Sequence, residues 1–99
     1  MDIFLSLDYS YHMNETFDTL RKVMTAQTNG AVESDDKESE RARLLAMYPD
    51  VYDTQELGAK FEVIGFAAPF CVVRRRSDGV KGSVMFQHSP RFYFNFQVD

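Results

Sequence analysis

The densest apolar patterning lies in residues 60–98, where runs of Val, Phe and Tyr are separated by short breaks. The blocks read KFEVIGFA, PFCVVRRR, SDGVKGSVMFQ and HSPRFYFNFQV. β-Branched and aromatic residues suit a pleated surface. Asp78-Gly79 is a strong hairpin signal, and His88-Ser89-Pro90 is a second break. The pattern predicts an antiparallel meander. With Asp78 and Gly79 as a two-residue loop, Val73 faces Val84 and Cys71 faces Phe86. With 88–90 as the next loop, Phe86 faces Phe92, Val84 faces Phe94, and Gly82 faces Phe96, leaving room under that ring. Cross-strand partners share a face, and both turns extend the same apolar surface. Gly65 marks a bulge or tight bend in the strand that starts at Lys60, whose register the sequence leaves open.

The opposite face then carries Phe70, Val72, Arg74, Arg76, Lys81, Ser83, Met85, Gln87, Arg91 and Tyr93. It is basic at one end and partly apolar at the other. On these registers Met85 sits beside Tyr93 and Val72, with Phe70 one step further on.

Ahead of the meander, Ile3, Leu5, Leu7, Tyr9 and Tyr11 alternate with Phe4, Ser6, Asp8 and Ser10. A period of two predicts an N-terminal strand there, with the tyrosines near its rim. Asn14 is placed to cap a helix that begins at Glu15 and carries Phe17, Leu20, Val23 and Met24. Asn29-Gly30 ends that pattern, so the helix should stop near Gln27 or Thr28. Residues 33–41 read ESDDKESER, five acids among two bases. Residues 29–41 are therefore expected to be a solvated acidic segment. In it, Asp35 and Glu38 form a capping box for a second helix, with Arg41, Leu44, Leu45 and Tyr48 along one side and Pro49 stopping it. Asp53 and Glu56 repeat the capping-box spacing, predicting a helical turn to Leu57 with Gly58 as its C-cap. Val51, Tyr52 and Leu57 would seal an edge of the core. The expected fold is α+β: one small domain over residues 1–99, with an N-terminal strand, two main helices and a C-terminal meander of three to four strands. The helices should cover the face holding Cys71 and Phe96.

Composition sharpens this reading in three ways. The chain has 99 residues and is 44% hydrophobic, which supports one modest core rather than a disordered chain. Net charge is −4, with an acidic excess of seven over residues 1–62 and a basic excess of three over residues 63–99. That imbalance argues against general duplex binding, which favours basic surfaces, and can orient a partner or a second copy. Cys71 stands alone, so no internal disulfide forms, and the usage fits the reducing cytoplasm. The start, MDIFLSLD, lacks the basic region of a signal peptide, and no apolar run reaches membrane-spanning length, so no membrane partner is expected.

Candidate chemistry is sparse. Cys71 with His12 or His88 lacks any sign of an oxyanion site. Asp35, Asp36 and Glu38 lack the central Gly of a calcium loop, and the two histidines and one cysteine have no zinc spacing. SDGVKGS resembles a phosphate loop only superficially. No catalytic residue, cofactor or metal is expected. The sequence points to a small acidic protein-interaction module, a regulator, inhibitor or subunit, binding a protein partner or a second copy through Phe70, Val72, Arg74, Arg76, Lys81, Met85, Arg91 and Tyr93. The alternatives are single-stranded nucleic-acid binding on the same basic and aromatic face, and an enzyme of unrecognised type. Continuous positive charge through residues 74, 76, 81 and 91 would favour nucleic acid.

Overall fold

A computed structural model of the protein describes residues 7–99, with side chains from Phe17 onward. The elements run α1 (Leu7–Gly30), α2 (Lys37–Leu45), β1 (Val51–Tyr52), α3 (Thr54–Lys60), β2 (Phe61–Ala67), β3 (Phe70–Arg75), β4 (Lys81–Gln87) and β5 (Phe92–Val98). The five strands form one antiparallel sheet in the order β1-β5-β4-β3-β2. The class is α+β with an antiparallel sheet, and the meander is present.

The N-terminal prediction needs correction. Residues 7–11 are helical, and α1 continues through Asn14 and Gln27 to Gly30; residues 3–6 of the expected strand lie outside the described residues. Leu7 and Tyr11 are also four apart, a helical spacing, so the apolar positions of 7–11 do not by themselves exclude a helix. The acidic segment is corrected at two points. Asp36, not Asp35, caps α2, accepting a bond from the Ser39 amide. Glu40 is not solvated: it is fully buried. The helix ends at Leu45 rather than Tyr48, although the Tyr48 amide still donates to the Leu44 carbonyl at 2.8 Å. The Asp53/Glu56 capping box is present, but α3 runs past Gly58 to Lys60.

Both hairpin registers differ from prediction. The first loop is longer than two residues: Arg75 pairs with Val80 through a 2.8 Å bond, and Gly79 adopts φ 73°. Cys71 therefore faces Val84, and Val73 faces Gly82. The slip is two residues, which preserves the faces. The second loop holds Ser89 in the left-handed region, and Phe86 pairs with Tyr93 and Met85 with Phe94. This slip is one residue, so it turns the start of β5 over. Tyr93 enters the main core, while Phe92 and Phe94 move to the opposite face. Near Asn95, at φ 61°, the register shifts once more, and Phe96 returns to the Tyr93 side. Such a bulge inserts one unpaired residue and bends the strand. Gly82 does leave room for Phe96: an added Cβ would lie 2.7 Å from that ring and strike the Gln97 carbonyl.

The two faces are thus packed separately. One cluster joins Leu57, Phe61, Cys71, Val73, Val84, Phe86 and Tyr93, with Tyr52 and Phe96 against it. Its helical cover is α3, through Leu57, and not the two longer helices as predicted. The other cluster joins Leu44, Val51, Phe92 and Phe94, with Tyr48 and Met85 alongside. Here α2 is the cover, and Tyr48 stacks on Phe94 at 4.8 Å. Arg41 ties the pieces together: it lies over the Phe92 ring, donates to the Val51 carbonyl and pairs with Glu56. At the end of α1, the Asn29 side-chain oxygen accepts from the His88 amide at 2.8 Å.

Candidate functional site

The sequence-predicted residues separate into three places. Phe70, Val72 and Arg74 lie side by side with Met85, Ser83 and Lys81 on one face, as Cα partners across β3 and β4. Of these, Phe70, Val72 and Met85 are half-buried and only the two charged residues are exposed. Met85 neighbours Phe94, not Tyr93, and packs against the cluster under α2. Tyr93 is 2% exposed and belongs to the opposite face. Arg91 joins it there: its guanidinium sits 5.0 Å from the centre of the Phe86 ring, and its Nη1 donates to the Tyr93 hydroxyl at 3.3 Å. Arg76 lies beyond β3, with its amide on the Lys60 carbonyl and its Nε on the Gly58 carbonyl.

Besides Val98 at the end of β5, the exposed large apolar strand positions lie elsewhere, on β2. Val63, Ile64 and Phe66 are 42%, 45% and 58% exposed. The bulge between Val63 and Gly65 displaces Ile64 from regular pairing with β3. Phe66 rests edge-on against Phe86, its ring centre 5.5 Å away. β2 is one of the two edge strands of the sheet, the two-residue β1 being the other, so one side of its backbone has no strand partner among the described residues. Such an edge is a template for another strand. The signal was present in the sequence as EVIGFA, four apolar side chains around one glycine, but without a register nothing marked that strand as outermost. On α1, Phe17, Leu20 and Val23 are also about half exposed.

Of the cations on the predicted face, Arg74 alone has an ion-pair partner among the described residues, Glu62 at 3.2 Å. On the other face Arg75 forms a two-pronged pair with Asp78 at 2.8 and 3.0 Å. Hydrogen bonds from Arg75 and the Val80 amide hold the Asp78 carboxyl below its usual range. Burial pushes the Cys71 thiol up, which disfavours the thiolate a nucleophile requires. His88 stands against the Phe86 ring and the Arg91 guanidinium. No group of His, Cys, Asp and Glu that could hold a metal ion occurs among the described residues. No helix among them is long and apolar enough to cross a membrane.

Under α2 lies a buried polar network absent from the predicted site. Glu40 accepts from the Glu33 amide, twice from Arg43 and once from Gln87, at 2.8 to 3.0 Å. Gln87 also donates to the Pro90 carbonyl. Bonds from Arg43, opposed by burial and helped by Gln87, hold the Glu40 carboxyl down at about 2. With every donor and acceptor matched, this network serves to join α2 to β4.

Comparison of the chain with protein-family models, curated proteins and solved structures finds no match.

Proposed function

We propose that the protein is a protein-interaction module, a regulator, inhibitor or subunit, whose docking element is the β2 edge. The observation that carries this reading is the exposure of Val63, Ile64 and Phe66 on the seven-residue edge strand. The partner this surface fits is an extended segment of another protein that adds a strand to β2, with apolar side chains at alternate positions. Backbone bonds would supply affinity, and the side chains beside Val63 and Phe66 would supply selectivity. The sheet face itself is the weaker candidate, since Met85 is packed under α2 and Tyr93 is buried. Nucleic-acid binding on that face draws less support. Arg74 is already paired with Glu62, and Arg91 sits beyond the opposite end of β4 from Lys81.

The test is the double substitution Ile64→Lys with Phe66→Lys. Both residues are exposed, so the variant should melt close to the parent. It should lose any partner that the parent retains from the native host and binds again as a purified pair. In the bound form, amide exchange should slow at 61–67. Association that survives the two lysines unchanged would overturn the proposal.

A further inference from the structure

At the far end of β2 from Phe66 the chain forms an open cleft of about 480 Å³, lined by Tyr52, Phe61, Phe96, Lys60, Arg75 and Arg76 among others. Its aromatic part is continuous. The Phe61 ring lies 5.7 Å from Tyr52 and 5.1 Å from Phe96, centre to centre. Phe61 is buried and forms the floor, while Tyr52 and Phe96 are half-buried and present ring surface to the opening. Three cations stand around these rings in a chain whose net charge is −4. Arg75 is committed: it grips Asp78 and lies over Phe96 at 5.2 Å. Lys60 and Arg76 form no ion pair among the described residues. One acid, Asp50, lies in the lining. Burial, helped by Asp50 and opposed by Arg75, pushes the Tyr52 hydroxyl up, so it stays neutral beside an incoming anion.

We propose that this cleft binds a planar aromatic ring joined to a phosphate, the ring against Tyr52 and Phe96 and the phosphate between Lys60 and Arg76. The volume is in the range of small-ligand sites, and the lining has their usual form, an apolar body with a few convergent polar groups. Ring stacking accepts any planar base, and an Arg fork matches phosphate oxygens. The site shares Phe61 with β2 but none of Val63, Ile64 and Phe66, so its failure would leave the proposed docking residues untouched. A free mononucleotide and the phosphorylated end of a single strand share this chemistry.

Titration calorimetry on the full chain separates the possibilities, using nucleoside monophosphates, the matching nucleosides, inorganic phosphate and a 5′-phosphorylated trinucleotide. The monophosphate should bind at least about ten times more tightly than the nucleoside or inorganic phosphate alone, and more weakly as salt rises. A trinucleotide preferred over the mononucleotide identifies a strand end as the source; equal affinity identifies the free ligand. Lys60→Gln, which removes no side-chain bond and should melt close to the parent, and Lys60→Gln with Arg76→Gln, which also removes the Arg76–Gly58 bond, should each lower affinity, the pair by about ten-fold or more. Phe96→Leu should weaken monophosphate without changing the response to inorganic phosphate. No saturable binding, inorganic phosphate matching the monophosphate, or affinity unchanged in the Lys60 and Arg76 variants would overturn the assignment.

Discussion

Glu40→Ala should destabilise the protein by about 3–5 kcal/mol at neutral pH, because it strands Arg43 and the Gln87 amide in a buried place. The magnitude has an independent check. The Glu40 carboxyl sits at about 2 in the folded chain against 4.5 for the free group. At about 1.4 kcal/mol per unit this corresponds to about 3 kcal/mol of stability. The side chain is 1% exposed, so solvent screening takes little from that figure. The folded value lies below the unfolded one. The contribution is therefore complete above about pH 4.5 and is lost as pH falls toward about 2. Denaturant unfolding of the parent and Glu40→Ala across pH 7 to 2 measures the difference directly. Subtracting the variant also removes the shared effects of Asp36 and Asp78, whose carboxyls are likewise held low. Glu40→Gln should fall between the two, since it keeps the shape and loses the charge. Arg41→Ala is the contrast on the same helix, where partly exposed pairs with Asp53 and Glu56 are each worth no more than about 1 kcal/mol. A difference below about 1 kcal/mol for Glu40→Ala, or one constant from pH 7 to 2, would refute the reasoning.

Three further outcomes are expected. Phe94→Ala should cost about 3–5 kcal/mol in denaturant unfolding, since the ring is 3% exposed and stacked on Tyr48. Gly82→Ala should cost about 1–3 kcal/mol and alter the near-ultraviolet signal, because the new methyl meets the Gln97 carbonyl and the Phe96 ring. Neutralising Asp35, Asp36 and Glu38 together should leave the fold intact and lower the melting temperature slightly, through loss of the Asp36 cap, as read by thermal melting.

The features most legible in the sequence are those with local determinants. Asp78-Gly79, the Asp53/Glu56 box, the Gly65 bulge and the buried Cys71 depend on neighbouring residues, and each is present in the fold. Position along a strand was less legible, because loop length sets the register. The first loop was misjudged by two residues and its faces survived; the second was misjudged by one and β5 turned over. Alternating aromatics made the error invisible, since RFYFNF offers a ring on either side. The candidate site suffered from this directly: Tyr93 was placed outside, and Met85 was given the wrong neighbour. Glu40 was hidden for another reason. Its partners Arg43 and Gln87 lie three and forty-seven residues away, and an acid in an acidic run gives no local sign of burial.

The bulge at Asn95 has a mechanical consequence. Phe94 and Phe96 are two residues apart, yet one is held under α2 and the other stands at the mouth of the aromatic cleft. Only a short length of β5 backbone separates the two packings, and Asn95 fixes its pitch. β5 is therefore a partition: three consecutive residues present one ring to the packing beneath α2 and another to the wall of the cleft, where the Arg75 guanidinium rests on it.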